Sequence, residues 1–337
     1  MPDLSESPTA CHVPPDGLFD AIILGAGPAG LAAAVYLGRY LRPTLVLNEK
    51  KPQTRWDRPI AHNVLGFPAG IHRNQLLDWG RSHVALYDCV QFRHCSVASI
   101  RMHGDMEGEQ GGSSGNFLLT DADGDSYRAR GLILAPGVEY ELPDIPDILP
   151  YAGKSIWHCP ECDGYKTLGK KVAVIGNGEG SAEMALGLTV WADAVSLCTH
   201  GQPPELSDDA RQKLAAANIR ILTPRITAIR GNPEEGALES LELADSTRLP
   251  TFGAFTNLPC KPPVDLFKQL PLELHKDRWI KTDHRMRTNI PRCYAAGDVV
   301  AHAQTQLSVA IGTGATAAIW LHRELLPPTL CLSDRDW

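Results

Sequence analysis

The sequence predicts an α/β protein with two dinucleotide-type domains, one inserted into the other. Three observations predict this. A Gly-rich turn lies between a strand and a helix at Gly25, a second lies at Gly176, and apolar runs alternate with helical stretches along the chain. The two turns begin 151 residues apart. That is domain duplication rather than a short-period repeat.

The 337 residues are 43% apolar and 21% charged, which supports a sizeable core and two domains. The net charge is −7 with no basic run, which excludes nucleic-acid binding as the main task. No apolar run reaches the roughly 20 residues of a membrane span. Residues 1–18 carry no Lys or Arg and are read as a flexible tail rather than a signal peptide. Nine Cys, mostly single, fit a reducing cytoplasmic compartment rather than a disulfide framework.

In chain order, Phe19 to Leu24 reads as a strand, Leu31 to Leu41 as a helix and Thr44 to Leu47 as the next strand. Polar Gly108 to Gly115 reads as a hairpin loop. Phe117 onward and Ser126 onward form strands around the turn at Asp121 to Asp125. Gly131 to Gly137 is a buried strand running into a turn. Lys171 to Ile175, Ala182 to Leu188 and Ala194 to Cys198 repeat strand, helix and strand. Arg292 to Asp298 is a further strand and turn. Ser308 to Leu326 is a long helix that Pro327 and Pro328 stop. The Pro-rich segments Leu142 to Pro150 and Pro259 to Pro263 read as linkers. The expected domains are 19–141 with 259–326, and 142–258 between them, followed by a tail over 327–337.

Three glycines of the first turn have distinct tasks. Gly25 permits the tight turn, Gly27 lets a pyrophosphate approach the backbone, and Gly30 lets helix and strand pack closely. Pro28 and Ala29 open the helix whose N-terminus faces the phosphates. Glu49, beside Asn48, is the acid placed to hold a ribose hydroxyl. The second turn keeps Gly176 and Gly178, with Glu179 opening the helix, but has Ser181 in the third position. The next strand ends in Thr199-His200-Gly201-Gln202, which supplies neither an Arg pair for a 2′-phosphate nor an acid for a free hydroxyl. His200 is the one side chain there that could touch a phosphate, and Arg211 is the cation on the next helix that could reach it.

Cys159-Pro-Glu-Cys162-Asp163 places two Cys at a helix start, where thiolates are favoured and a small disulfide ring can close. A zinc site would need a second ligand pair of similar spacing, which the sequence lacks. Cys198, Cys260 and Cys293 sit alone and are expected in the core.

Together these motifs resemble the low-molecular-weight thioredoxin reductases over about residues 19 to 326. The resemblance implies two Rossmann-like domains: an FAD domain built from both ends of the chain and an inserted pyridine-nucleotide domain carrying the C-x-x-C. It implies a homodimer with a thioredoxin-like disulfide as partner. Gly297 and Asp298 match the second FAD motif, and Gln306 matches the Gln beside the flavin ring. Asn63, Gly137 and Leu307 complete the implied cofactor set, and the C-terminal Trp337 is expected to cover a flavin. By the same resemblance Cys162 faces the flavin, Cys159 attacks the partner disulfide and Asp163 is the acid–base neighbour.

This sequence departs from that family at the missing Arg clamp, at Thr305, at Ala135-Pro136-Gly137 and at Ala254 to Asn257. The departures resemble branches that do not use NADPH: ferredoxin-linked reductases, and disulfide oxidoreductases with a second FAD in place of the nicotinamide. The expectation is therefore an FAD enzyme that does not use NADPH, with a second FAD on the Gly176 turn. The alternatives are an NADPH-dependent thioredoxin reductase, a small-molecule dithiol oxidase using oxygen, and a flavin redox sensor.

Overall fold

The computed structural model describes residues 17–49, 60–103, 116–258 and 260–330. The chain forms two compact units. One gathers residues 17–49, Asn63–Val138 and the stretch from Lys261 onward. The other holds Glu139–Cys260 with residues 60–62. The expected loop at 108–115 and Trp337 lie outside the described residues.

The first unit is built on a seven-stranded sheet. Leu18–Leu24 lies at its centre, parallel to Thr44–Asn48 on one side and to Ser126–Leu134 on the other. Val90–His94 extends the first side. Ser126–Leu134 serves two partners in succession. Its beginning pairs antiparallel with Asn116–Asp121, as Phe117 faces Ala129, and its end pairs parallel with Cys293–Ala295, as Cys293 faces Leu132. Val97–His103 closes the far edge.

Successive strand residues point to opposite faces, so Leu18–Leu24 feeds two cores. Ala21 and Ile23 pack with Ala33, Leu37, Ala317 and Leu321 of the first and last helices. Ile22 and Leu24 pack with Leu45, Leu132, Phe117 and Phe267 on the other face. The first helix, Pro28–Arg39, starts three residues before the expected Leu31 because Gly27 serves as its N-cap with Pro in the first turn. It ends before the expected Leu41, which has a φ of +56° that a helix cannot carry. The last helix is Leu307–Glu324.

The second unit carries a parallel sheet in the order Ile156–Trp157, Gly253–Thr256, Lys171–Ile175, Ala194–Cys198, Arg220–Leu222. The helices Glu179–Leu188 and Asp208–Ala216 cover one face, where Val172, Val174, Ala182, Leu197 and Leu214 meet. The antiparallel strands Ile226–Asn232, Ala237–Leu243 and Arg248–Pro250 cover the other, with Ile175, Cys198, Ile226 and Leu241 between. Leu142 to Pro150 is not a plain linker. Its Ile145 and Ile148 are buried in that second core, so the segment is anchored by apolar burial despite its prolines. No described helix is long and apolar enough to cross a membrane.

Candidate active site

In an open parallel sheet, ligands bind at the carboxyl ends of the strands. Four strands of the first unit end where the expected cofactor residues lie. Leu18–Leu24 ends at Gly25, Thr44–Asn48 at Glu49, Ser126–Leu134 shortly before Gly137, and Cys293–Ala295 shortly before Gly297 and Asp298. The topology thus collects at one sheet edge residues that lie as far apart in sequence as Gly25 and Asp298.

The turn itself needs glycine. Gly25 has a φ of +106°, and a Cβ there would fall 2.8 Å from the carbonyl carbon of Ala135. A Cβ on Gly30 would fall 2.9 Å from the carbonyl carbon of Gly25. At Gly27 the same direction is open space, which is the cradle a pyrophosphate requires. Asn48 Oδ1 accepts from the Ala26 amide at 3.2 Å and holds the turn against the second strand. Glu49, next to it, is exposed. Asn63 Nδ2 donates to Gln306 Oε1 at 2.8 Å, joining two expected cofactor residues at the start of the last helix, beside Leu307. Gly297, with a φ of +74°, donates its amide to Thr313 Oγ1 at 2.9 Å.

Asp298 is the residue that best tests the fit to FAD. Its side chain is half-buried, and none of the described residues hydrogen-bonds it. Burial pushes it up to about 6, against the opposing pull of Arg73. A half-buried acceptor of this kind suits a hydroxyl donor of a bound polyol chain. The open cradle at Gly27 and the waiting acceptor at Asp298 both fit the cofactor. Arg73 and Thr313 were not visible as site residues in the sequence, because nothing local to either marks it.

In the second unit, Cys159 and Cys162 form a disulfide with their Cα atoms 5.3 Å apart. It lies just past the carboxyl end of Ile156–Trp157, where Cys159 caps the short helix Pro160–Asp163. The amides of Cys162 and Asp163 both donate to the Cys159 carbonyl at 3.1 Å. Cys159 is buried and Cys162 is half-buried. Asp163 is buried and paired with Lys166, Oδ1 to Nζ 2.9 Å. Glu161, which the sequence did not single out, lies with Oε2 3.7 Å from Cys159 Sγ. Burial pushes the thiols of Cys198 and Cys293 up to about 12, so they are inert core groups. Cys260, expected in the core, is only half-buried. Among the described residues no cluster could hold a metal ion.

The turn at Gly176 keeps the backbone form a dinucleotide needs. Gly178 has a φ of +82° and an open Cβ direction, the nearest atom being the Glu205 carbonyl oxygen at 3.9 Å. Its surroundings are tied to the protein itself. Asn177 Oδ1 accepts from the amides of Gly178 and Glu205, at 2.9 and 3.0 Å. Glu179 accepts from the Ser207 amide at 2.7 Å. His200 has both ring nitrogens engaged: Nδ1 accepts from the Ile226 amide at 3.1 Å, so Nε2 carries the proton and donates to the Asp144 carbonyl at 3.2 Å. Burial, with the nearby Arg225 charge, lowers its pKa. His200 thus crosslinks the Ile226 amide and the Asp144 carbonyl. Arg211 donates to the Pro204 carbonyl at 2.8 Å, and Arg225 pairs with Asp144 at 2.6 Å.

Residues 19–314 match the family of pyridine nucleotide-disulphide oxidoreductases. A 34.2 kDa protein in the rubredoxin operon of Clostridium pasteurianum is 30% identical over 89% of this chain and 95% of its own. The thioredoxin reductase of Streptomyces coelicolor is 27% identical over 94% of this chain and 96% of its own. The crystal structure of thioredoxin reductase from Streptococcus pyogenes superposes with a TM-score of 0.81 at 24% identity, over 92% of this chain and 98% of that one, a likeness of fold.

Proposed function

The chain belongs to the pyridine nucleotide-disulphide oxidoreductase family, and from that premise we propose that it reduces a partner protein's disulfide, of the thioredoxin type, with the dithiol of Cys159 and Cys162. As a thioredoxin reductase-like flavoprotein disulfide oxidoreductase it is an enzyme. The observation that carries the proposal is the Cys159–Cys162 disulfide at a helix start in a chain that also has the Gly25 cradle and the Asp298 acceptor.

Gly25, Gly27, Pro28, Ala29 and Gly30 would hold the pyrophosphate of FAD, Asn48 and Glu49 its ribose end, and Asp298 its polyol chain. Asn63, Gly137, Gly297, Gln306 and Leu307 would line the remainder. FAD, when bound, supplies the two electrons that open the disulfide. The chain's own sulfurs then carry out the exchange. The Cys159 thiolate attacks one sulfur of the partner disulfide, forming a mixed disulfide and releasing the partner's other sulfur as a thiolate. Cys162 then attacks Cys159 Sγ, restoring the ring and freeing the partner's second thiol. The helix start favours the attacking thiolate.

A 2′-phosphate is held by charge-assisted contacts worth about 1.5–3 kcal/mol each. Residues 199–202 offer none, and Arg211 and Arg225 are engaged elsewhere. We therefore assign NADPH and NADH as poor reductants. A second FAD is the occupant we propose for the Gly176–Gly178 turn, and ferredoxin or a similar carrier is the donor. The enzyme would work as a cytoplasmic homodimer. Three measurements test this: the flavin-to-protein ratio after denaturation, anaerobic mixing with excess NADPH followed at the flavin band, and reduction of a thioredoxin. A ratio of one removes the second FAD. Full bleaching within seconds restores NADPH as donor. A protein that takes up no flavin removes the whole reading.

A further inference from the structure

The turn that carries the disulfide also carries two carboxylates, and they have different surroundings. Asp163, the acid–base neighbour that the resemblance implies, is buried with Oδ1 2.9 Å from Lys166 Nζ. The Lys166 ammonium also lies 5.9 Å from the centre of the Trp157 ring. Glu161 is exposed to water, and its Oε2 comes within 3.7 Å of Cys159 Sγ. The remaining titratable neighbour in sequence, His158, has its ring 4.3 Å from that of Tyr140.

We propose that Glu161 is the group that takes the proton from Cys159 and returns it during disulfide exchange. This rests on the reading of Cys159 as the attacking sulfur. In the disulfide form Cys159 has no proton, so the 3.7 Å approach is only a contact. Once the ring is opened, Sγ bears a hydrogen and Glu161 Oε2 is an acceptor within reach. The carboxylate's charge also disfavours a free thiolate beside it. Glu161 accepts that proton as attack begins, so the sulfur reacts as the thiolate, and an acceptor at that distance lowers the barrier. As Cys159 Sγ bonds to a partner sulfur, its proton passes to Glu161 and the partner's S–S bond breaks. The partner sulfur that leaves takes the proton back from Glu161. Cys162 then attacks Cys159 Sγ and its proton goes to the partner sulfur that leaves, so one dithiol and one disulfide become one disulfide and one dithiol. Glu161 ends as it began. Asp163, already paired with an ammonium, is the poorer acceptor and serves to hold the turn.

The test compares wild type with Glu161→Gln, both as flavin-loaded full chains. Glu161 is exposed, so the change costs little stability. Two readouts are used. Iodoacetamide alkylation of Cys159, read by mass spectrometry in a Cys162→Ser background, reports where the thiol ionises. Exchange of the chemically reduced protein with bis(2-hydroxyethyl) disulfide, whose leaving thiol needs a proton, reports the transfer. Without the carboxylate, alkylation is expected to move to lower pH while exchange at neutral pH slows by about tenfold or more. Exchange that is unchanged, or that speeds up together with alkylation, overturns the proposal, because the carboxylate would then act only as a charge or not at all. Neither readout needs the natural partner. Failure of the wild type to reduce a thioredoxin would overturn the broader reading and leave this one standing.

Discussion

Gly314 of the last helix lies directly against the backbone of Ala29 in the first. A Cβ on Gly314 would fall 2.8 Å from the Ala29 carbonyl carbon and 2.9 Å from its Cα. Ala29 also lies beneath Gly297, whose Cβ would meet the Ala29 Cβ at 3.1 Å. The first and last helices thus meet at backbone distance beside the expected pyrophosphate turn.

Gly314→Ala forces those helices apart. Overpacking of this kind costs about 1–3 kcal/mol. We expect a loss of that size in denaturant unfolding, together with weaker FAD retention on gel filtration, because the first helix opens at the cradle. A variant that keeps both its stability and its flavin would show that the contact relaxes freely.

Cys162→Ser is expected to trap the partner. Cys159 can still attack, but no second thiol remains to release it. A covalent complex with thioredoxin should appear on a non-reducing gel, and Cys159→Ser should give none. The reverse pattern would exchange the roles of the two sulfurs.

Asp298 gives the cofactor-free protein a pH dependence of defined sign. Its folded pKa, about 6, lies above an unfolded value of about 3.9. Its contribution is therefore fully present below the unfolded value and is lost as pH rises through the folded one. Wild type is expected to lose about 2–3 kcal/mol relative to Asp298→Asn between about pH 4 and pH 6.5. Denaturation curves of the two proteins across that range check it, and parallel curves would refute it.

His200→Ala should damage the fold of the second unit rather than its ligand. The buried Ile226 amide loses its acceptor, at a cost of about 1–3 kcal/mol. Flavin content should not change. The lowered pKa of His200 means that its contribution is present above the unfolded value of about 6.5 and is lost as pH falls below it. A variant that kept its stability and lost flavin would return His200 to the nucleotide site.

The sequence by itself determined the strand–turn–helix units, the glycines at Gly25, Gly27 and Gly30, and the C-x-x-C spacing at Cys159 and Cys162. These are short-range properties: a φ that only glycine tolerates, an apolar period, two sulfurs a few residues apart. Helix starts were less legible, because Gly27 and Pro28 open a helix before its first apolar residue. The Pro-rich Leu142 to Pro150 concealed Ile145 and Ile148, whose anchoring role exists only once the second sheet is there to bury them. Only the tertiary structure decided which charges meet. His200 goes to Ile226 and Asp144. Asp298 shares its site with Arg73, and Asn63 bonds Gln306 from 243 residues away. Such pairings depend on burial and on the strand order of the sheets, and strand order joins parts of the chain that no local pattern relates.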